Sequence, residues 1–488
     1  MNEKGKAQDA ADRGRVVVDG RGGTWTAEGH VVMVPTLTAS NGPYPASAEM
    51  KVENRCSRRA AVIGAVGLLV AMGRGASRGL GVFANTPSVA GETEAGPCLP
   101  VDGPPVRASF VGFDAAGEIR LRIPEPGASE PQMLAKGVDD LVSWGSCPDL
   151  RPGQDYLFLV DGTLLSGVWQ GLDNGVIQWR HERIGGLQVP TEQASGLVVA
   201  APFAASARDR LLDRIASGNG EYDRLILTNG DELRGRVLRG DASAVQMLSD
   251  FGAVDVPTSR VAAVGLRGPG VRRFSPGAVV LGLEDGSRLA VAPTMSGRYP
   301  LEVDLPVGKD GERSPLHRVR LTDRPTQPET WEFLAAVKYL HAFGRRVDYL
   351  SDRAPTEYVH VPYLTYVQPL GRDRTPRGAF LRSEGALYLK GLGTYSACRV
   401  TYSPAKQYRR FRAEVVMDDA ARGRGDAACR ALVDGATAWR TESLRSADTP
   451  TIVDLDVSGA ERLDLIVEFG PRADELDYVD WLNARLIR

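Results

Sequence analysis

Two stretches of this chain repeat each other without a gap, 68 residues apart: Asp-Tyr-Leu-Phe-Leu-Val-Asp-Gly-Thr-Leu-Leu-Ser-Gly at 155–167 and Asp-Arg-Leu-Ile-Leu-Thr-Asn-Gly-Asp-Glu-Leu-Arg-Gly at 223–235. In each, an apolar strand meets an Asp-Gly or Asn-Gly turn and a second strand, the strongest short-range hairpin signal a sequence carries. Each copy runs on into another strand pair ending in Val-Pro, at Val189-Pro190 and Val256-Pro257. A weaker copy occupies 281–289, and 110–123 reads as a degenerate fourth. Strand spacing and size are those of SH3-like or Sm-like small β-barrels. One such unit buries little on its own, so neighbouring copies are expected to pack together. Residues 206–215, with Leu211, Leu212 and Ile215 among Arg and Asp, read as a short amphipathic helix between copies.

The C-terminal part alternates differently. In Phe411-Arg412-Ala413-Glu414-Val415 and in residues 463–469, apolar side chains fall at every second position, which puts them on one face of a pleated strand. Several such strands separated by turns, with no helical stretch between them, hide their apolar faces only against each other, as a two-sheet sandwich. The fold class expected for the whole chain is therefore all-β: tandem SH3-like or Sm-like small β-barrels followed by a C-terminal jelly-roll β-sandwich. Binding then belongs to the loops.

Lys390-Gly391-Leu392-Gly393, Tyr408-Arg409-Arg410-Phe411, Met417-Asp418-Asp419, Leu432-Val433-Asp434-Gly435, Val457-Ser458-Gly459-Ala460 and the run from Asp477 to Arg485 together resemble the NPCBM module, a carbohydrate-binding domain with a galactose-binding-like jelly roll. The lead-in from Tyr349 through Pro362-Tyr363 to Arg374 is similar to the stretch that precedes this module in bacterial surface and secreted proteins. The chain departs from the family in carrying Tyr395 after the Gly-x-Gly where His is usual, and Val416 before the Asp where Gly is usual. The resemblance implies recognition of a galactose-like or related glycan.

Lys plus Arg (59) nearly balances Asp plus Glu (61), for a formal charge of −2. Such a balance supplies no basic field for nonspecific nucleic-acid binding. At 488 residues the chain has room for about three domains. Residues 50–90 read as a secretory signal peptide: Lys51, Arg55, Arg58 and Arg59 ahead of an uncharged run at 60–72, then small residues. That run is too short for a permanent membrane span. Residues 1–49 are then a leader, disordered or untranslated, and residues 101–321 hold the barrel repeats. Residues 322–348 read as a linker with a short helix, and 349–488 as the sandwich. Export places Cys98, Cys147, Cys398 and Cys429 in an oxidising compartment, where Cys98–Cys147 and Cys398–Cys429 are candidate disulfides; four separate buried thiols is the other reading.

Enzyme signatures are few. None of the five His is spaced for a metal pair, and Cys-x-x-Cys does not occur. Gly75-Ala76-Ser77-Arg78-Gly79 matches a nucleophile elbow but adjoins the signal peptide, without the strand and helix that motif requires. Arg424-Gly425-Asp426 reads as a solvated turn. Sugar binding needs only an exposed aromatic face and a few polar groups; Tyr395, Asp418, Asp419, Tyr478, Asp480 and Trp481 are the candidates at expected loop positions, Tyr395 first among them. Trp481 and Trp439 also suit core filling. Asp477 and Asp480 are candidate ligands for a structural Ca2+; no other cofactor is expected. The sequence thus points to an exported, non-catalytic protein whose partner is carbohydrate. The alternatives are a scaffold that binds other surface proteins through its barrels, and a hydrolase with unrecognised active residues.

Overall fold

A computed structural model of the chain describes residues 93–114, 117–124, 132–218, 220–291, 302–304, 318–320, 333–446 and 448–488. The leader, the signal-peptide segment and the Gly-x-Ser-x-Gly motif lie outside the described residues.

The repeat is carried in full by strand register. In the second unit Leu157 pairs Leu165 on the next strand and Leu197 on the last. Leu225 takes the same place in the third unit, between Leu233 and Val264. Leu281 does so in a further unit, between Leu289 and Leu340, and Cys98 in the first, between Val106 and Trp144. All four last-strand pairings slip by one residue at the same point, after Leu99, Phe158, Ile226 and Gly282. Each first strand leads into an Asx-Gly turn at Gly103, Gly162, Gly230 or Gly286, with φ between 89° and 99°, a conformation glycine adopts without a Cβ penalty. The first unit's turn is therefore Asp102-Gly103. Residues 110–123, expected to be a degenerate copy, are instead that unit's second and third strands.

In the first three units the second strand continues through a meander into a one-turn 3-10 helix, at Val138–Asp140, Thr191–Gln193 and Thr258–Arg260, and the fifth strand returns to the first. That is the strand order a small SH3-like barrel requires. The fourth unit ends with Val337–Ala342, directly after a helical turn at 333–336. This corrects the expected linker: the described end of 322–348 is a central strand, fully integrated through Val279–Leu283 and Leu141–Gly145.

Fifth strands pair with fifth strands. Leu197 faces Val264 across an antiparallel junction of the second and third units, and Leu340 faces Trp144 across one between the fourth and first. These are equivalent positions in the repeat, so a local two-fold runs through each junction, and each pairing covers two sheet edges at once. One apolar cluster, including Trp144, Trp179, Leu197, Leu281 and Leu340, extends through all four units.

Asp155 and Asp223 explain why the repeat begins with Asp. Asp155 accepts the amides of Trp169 and Ala200, and Asp223 those of Val237 and Arg267. Each carboxylate ties the second strand to the exit of the fifth. The expected helix forms as Ala205–Ala216 and buries Leu211, Leu212 and Ile215.

The sandwich has two antiparallel sheets. One runs Gly371–Arg372, Gly391–Tyr395, Tyr478–Ile487, Arg410–Met417, Thr451–Asp456, with Val347–Tyr349 also on Tyr478–Ile487. The other runs Glu357–His360, Cys398–Tyr402, Leu463–Phe469, Asp426–Val433, Ala436–Arg445. All ten residues of Tyr478–Ile487 are buried. Val479 and Trp481, then Ala484 and Leu486 past an irregularity at Asn483 (φ 49°), face the core between the sheets. Leu482 and Ile487 face outward, under the hairpin Leu381–Ser383/Ala386–Tyr388 and the repeat block.

Asp223→Ala strands two amides, and each unsatisfied buried donor costs about 1–3 kcal/mol. The variant should unfold about 2–4 kcal/mol more easily by chemical denaturation, and an unchanged midpoint would refute the tie.

Candidate functional site

The sandwich has one end where Glu357–His360, Gly391–Tyr395, Arg410–Met417 and Leu463–Phe469 finish and Cys398–Tyr402, Asp426–Val433 and Tyr478–Ile487 begin. The loops at this end are the natural place for a ligand, and the residues expected there sit otherwise than expected.

Tyr395 is not on a loop. It is the last residue of Gly391–Tyr395 and only 8% exposed. Its hydroxyl donates to the Asp474 carbonyl at 2.6 Å, and its ring meets Tyr478 edge-on with centroids 4.9 Å apart. Tyr478, Asp480 and Trp481 are all buried in the closing strand, Trp481 with Trp439 edge-on against it at 6.0 Å. Asp418 is buried as well: it caps a 3-10 turn by accepting Ala420 N–H and accepts Arg382 N–H from the docked hairpin. Asp419 alone is exposed, and its carboxylate is occupied by the amides of Glu384 and Gly385. None of the six offers a sugar a free face.

Nor do Asp477 and Asp480 converge on a cation. Three residues apart along one strand direction, they lie on opposite faces. Asp477 accepts the Ser396 hydroxyl and the Asp426 amide, and burial pushes it up to about 6. Among the described residues no cluster of three or more His, Cys, Asp or Glu could hold a metal ion. Asp480 faces Asp418. Burial first, and then the Asp418 charge, keep the Asp480 proton well above the ordinary carboxylate range. The protonated acid is thus the donor between two carboxyls.

The four cysteines among the described residues are free thiols, all buried, and neither expected disulfide forms. Cys398 and Cys429 flank Val467 from two different neighbouring strands. Two strand spacings, about 9.5 Å, exceed what an S–S bridge spans. Burial raises Cys98 to about 11 and Cys398 to about 12, which leaves them unreactive. Arg424-Gly425-Asp426 is no displayed motif: Asp426 is buried, accepts the Ser443 hydroxyl and pairs with Arg445.

What the loop end does expose is the segment 361–367. Tyr363 is 61% exposed, Leu364 80% and Tyr366 70%, flanked by exposed Val361 and Val367. Both ends of the segment are clamped. Val361 N–H donates to the Ala397 carbonyl; His360 Nδ1 accepts Gln368 N–H while its Nε2 donates to the Ser396 carbonyl; and the Tyr358 hydroxyl donates to the Gln368 carbonyl. Burial holds His360 below its ordinary value, so it stays neutral and keeps one nitrogen as acceptor. Tyr363 also packs edge-on against Phe469 at 5.9 Å. Arg377, over the Tyr478 ring at 5.2 Å, adds an exposed cation at this end. A contiguous exposed apolar patch with aromatic rings on an anchored loop is a ligand surface by the ordinary logic of soluble proteins. Sequence reasoning passed over it; the signal was an apolar run between Pro362 and Pro369 that no strand partner claims.

The comparisons with known proteins bear on the domain that carries this segment. The family description that matches is the NPCBM/NEW2 domain, over residues 346–487. Residues 346–487 form an NPCBM domain. A protein of Renibacterium salmoninarum named as an endo-alpha-N-acetylgalactosaminidase is 26% identical over 120 residues, which is 25% of this chain and 8% of that protein. Among solved structures, a CBM51 of Clostridium perfringens ZmpB in complex with GlcNAc is 21% identical over 29% of this chain and 31% of its own, at a TM-score of 0.27. A CBM51 from Clostridium perfringens GH95 in complex with methyl-galactose is 19% identical over 29% of this chain and 99% of its own, at 0.26. The NPCBM domain is a carbohydrate-binding jelly-roll sandwich.

Two predictions follow from the buried acids and thiols. Without reductant, alkylation in denaturant should label Cys98, Cys147, Cys398 and Cys429 in full, and alkylation of the folded chain none of them; protection in denaturant would indicate a disulfide. For Asp480 the folded pKa lies above the unfolded value of about 3.9, so the native state binds the extra proton. Its stabilisation is complete below about pH 4 and is lost as pH rises toward the raised value. Asp480→Asn keeps a donor to Asp418 and cannot ionise; it should melt above the wild type at pH 7, with the gap closing toward pH 4. A gap equal at both pH values would show Asp480 ionised in the fold.

Proposed function

We propose that this protein is an exported, non-catalytic glycan-binding protein that meets its sugar at the loop end of the NPCBM domain, through Tyr363 and Tyr366. The observation that carries the reading is the clamped, exposed aromatic segment 361–367 on a domain of carbohydrate-binding type. A pyranose presents an apolar C–H face to a tyrosine ring and hydroxyls to nearby polar groups. Holding the loop ends at His360 and Tyr358 lowers the ordering cost that a weak binder would otherwise meet on association. The ligand class favoured is a galactose-like or N-acetylhexosamine glycan, in line with the sugars bound by the two Clostridium perfringens modules.

Non-catalytic action is supported by what the acids do. The carboxylates expected at the site are engaged by backbone amides or by each other. A glycosidase needs two across a cleft. Export is supported by the basic head and apolar run of residues 50–90. Thiols that burial has raised far above neutral are also compatible with an oxidising compartment. Among the described residues no helix is long and apolar enough to cross a membrane.

The test is a glycan array on the full chain, followed by calorimetry with the best glycan. Tyr363→Ala and Tyr366→Ala should each weaken binding by about tenfold, the equivalent of about 1.4 kcal/mol, without lowering the melting temperature, since both rings are exposed. Binding that survives the double variant, or no signal on any glycan, would overturn the assignment.

A further inference from the structure

Between the sandwich and the repeat block lies a cavity of about 780 Å³ lined by both. That size lies within the range of small-molecule sites, about 300–1,000 Å³. Its apolar wall includes Phe158, Phe274, Phe343 and Phe380, with Phe274 and Phe343 stacked at 4.7 Å. Against this wall stand Arg272, Arg273 and Arg288 from the repeat block and Arg372, Arg374 and Lys390 from the sandwich.

The acids on the same wall are already committed. Asp213 pairs with Arg374 at 2.9 Å. Asp352 and Asp373 both pair with Lys390, at 2.7 and 2.9 Å. Arg372 donates to the Ser351 carbonyl, which carries no net charge. Arg272, Arg273, Arg288 and Arg372 are thereby left without a carboxylate partner among the described residues.

Arg288 decides what the cavity is for. It is 8% exposed, and its Nε and Nη2 are buried without a hydrogen-bond partner. Its guanidinium lies 5.2 Å from the centroid of the Phe380 ring, a ring it shares with Arg374 at 4.1 Å and Arg382 at 5.9 Å. A cation–π contact offsets only part of the cost of burying a charge, and three cations around one ring repel each other. Among the described residues Nη1 makes no hydrogen bond either, and it remains for the cavity that Arg288 lines. The position is fixed by the sheet, since Arg288 pairs with Gly282 within its own unit and with Leu164 of the second. A buried, immobile guanidinium with no counter-ion among the described residues, at the wall of a basic cavity, is a site completed by an anion.

We propose that this junction cavity binds the carboxylate of an acidic sugar, a uronic acid or a saccharide ending in one. Arg288 through Nη1, and Arg372 through the nitrogens not given to Ser351, supply the carboxylate with charge-assisted donors. The aromatic wall receives the apolar face of the ring, which favours an acidic sugar over a bare inorganic ion. The site is separate from the rim loop and does not rest on it.

The experiment uses the full chain carrying Tyr363→Ala and Tyr366→Ala, so that rim binding, if any, is removed. Melting curves and calorimetry are recorded with galacturonate, galactose and inorganic sulfate at matched ionic strength. Galacturonate should bind and raise the melting temperature, with galactose without effect and sulfate weaker. Arg288→Met keeps the apolar stem and removes the charge; it should melt no lower than its parent and lose about tenfold or more of galacturonate affinity. Exposed Arg372→Gln should also weaken galacturonate without lowering the melting temperature, and serves alone if Arg288→Met does not fold. Equal binding of galactose, undiminished galacturonate binding in the folded variants, or a lower melting temperature for Arg288→Met would overturn the proposal. A sulfate response matching that of galacturonate would mean an adventitious ion only, and would overturn it too.

Discussion

The two halves of the described protein are held as one by Arg382. Its guanidinium sits between Asp149 of the repeat block, at 2.8 and 3.0 Å, and Asp209 of the helix Ala205–Ala216, at 2.5 and 2.9 Å. Burial works against its charge, but the hydrogen bonds and fields of Asp209 and Asp149 outweigh that and hold Arg382 above its ordinary value. Asp209 is fully buried and also accepts Phe380 N–H. Burying these charges is tolerable only because the geometry is bidentate and nearly every lone pair is used. The arrangement gives specificity of docking more than net stability. With the hairpin that carries Arg382 pinned down, the outward face of the first sheet is closed. That is why Asp480, Asn483 and Arg485, polar residues on a strand that would otherwise meet water, are buried. It is also why Asp480 keeps its proton.

A second set of contacts repeats the logic at the other side of the junction. Arg346 and Arg409 both reach Asp102, and Arg412 donates to the carbonyls of Val101 and Gly103. These are the turn residues of the first β-unit. The Asx-Gly turn of the first unit is thus a docking surface for the sandwich, which accounts for the divergence of that copy. Neutral His341, held below its ordinary value to about 3 by burial and then by the charges of Lys390 and Arg485, bridges Tyr339 of the fourth unit and Tyr349 of the sandwich, each hydroxyl 2.9 Å from one ring nitrogen. The fourth unit's last strand thus hands the chain to the sandwich with no linker between them.

Sequence alone was sufficient wherever one residue type had one job. The 68-residue offset emerged because Asp155 and Asp223 hold the same two amides, and because the Asx-Gly turn needs glycine. Pro97-Cys98-Leu99-Pro100-Val101 hid the first copy, since its two prolines and cysteine blur the apolar alternation that the register preserves. Val337–Ala342 was hidden by its distance from the rest of its unit. The misplacement of Tyr395 has a sharper cause. Gly391 and Gly393 look like a turn, yet they lie in a strand where a Cβ at Gly393 would stand 2.4 Å from the Arg374 carbonyl oxygen, and one at Gly391 2.8 Å from the Trp481 carbonyl oxygen and a Leu381 methyl. These glycines are required by close packing of the chain on both sides, and the residue that follows is drawn inward with them. Spacing cannot distinguish a glycine that bends the backbone from one that makes room for another.

The same distinction separates the rim from the interior as places for a ligand. The polar groups of the closing strand are buried beneath packed protein, and a sugar reaching them would first have to displace that packing. On the loop 361–367 the hydrogen bonds are at the ends, where His360, Tyr358 and Ala397 hold the backbone, and the middle presents rings and methyls to water. A ligand arriving there removes apolar surface from solvent without breaking anything, on a loop that has already lost its freedom. Weak sugar binding can tolerate no larger cost than that. An aromatic on a clamped loop meets the requirement, and one inside a strand, however well placed in the sequence, does not.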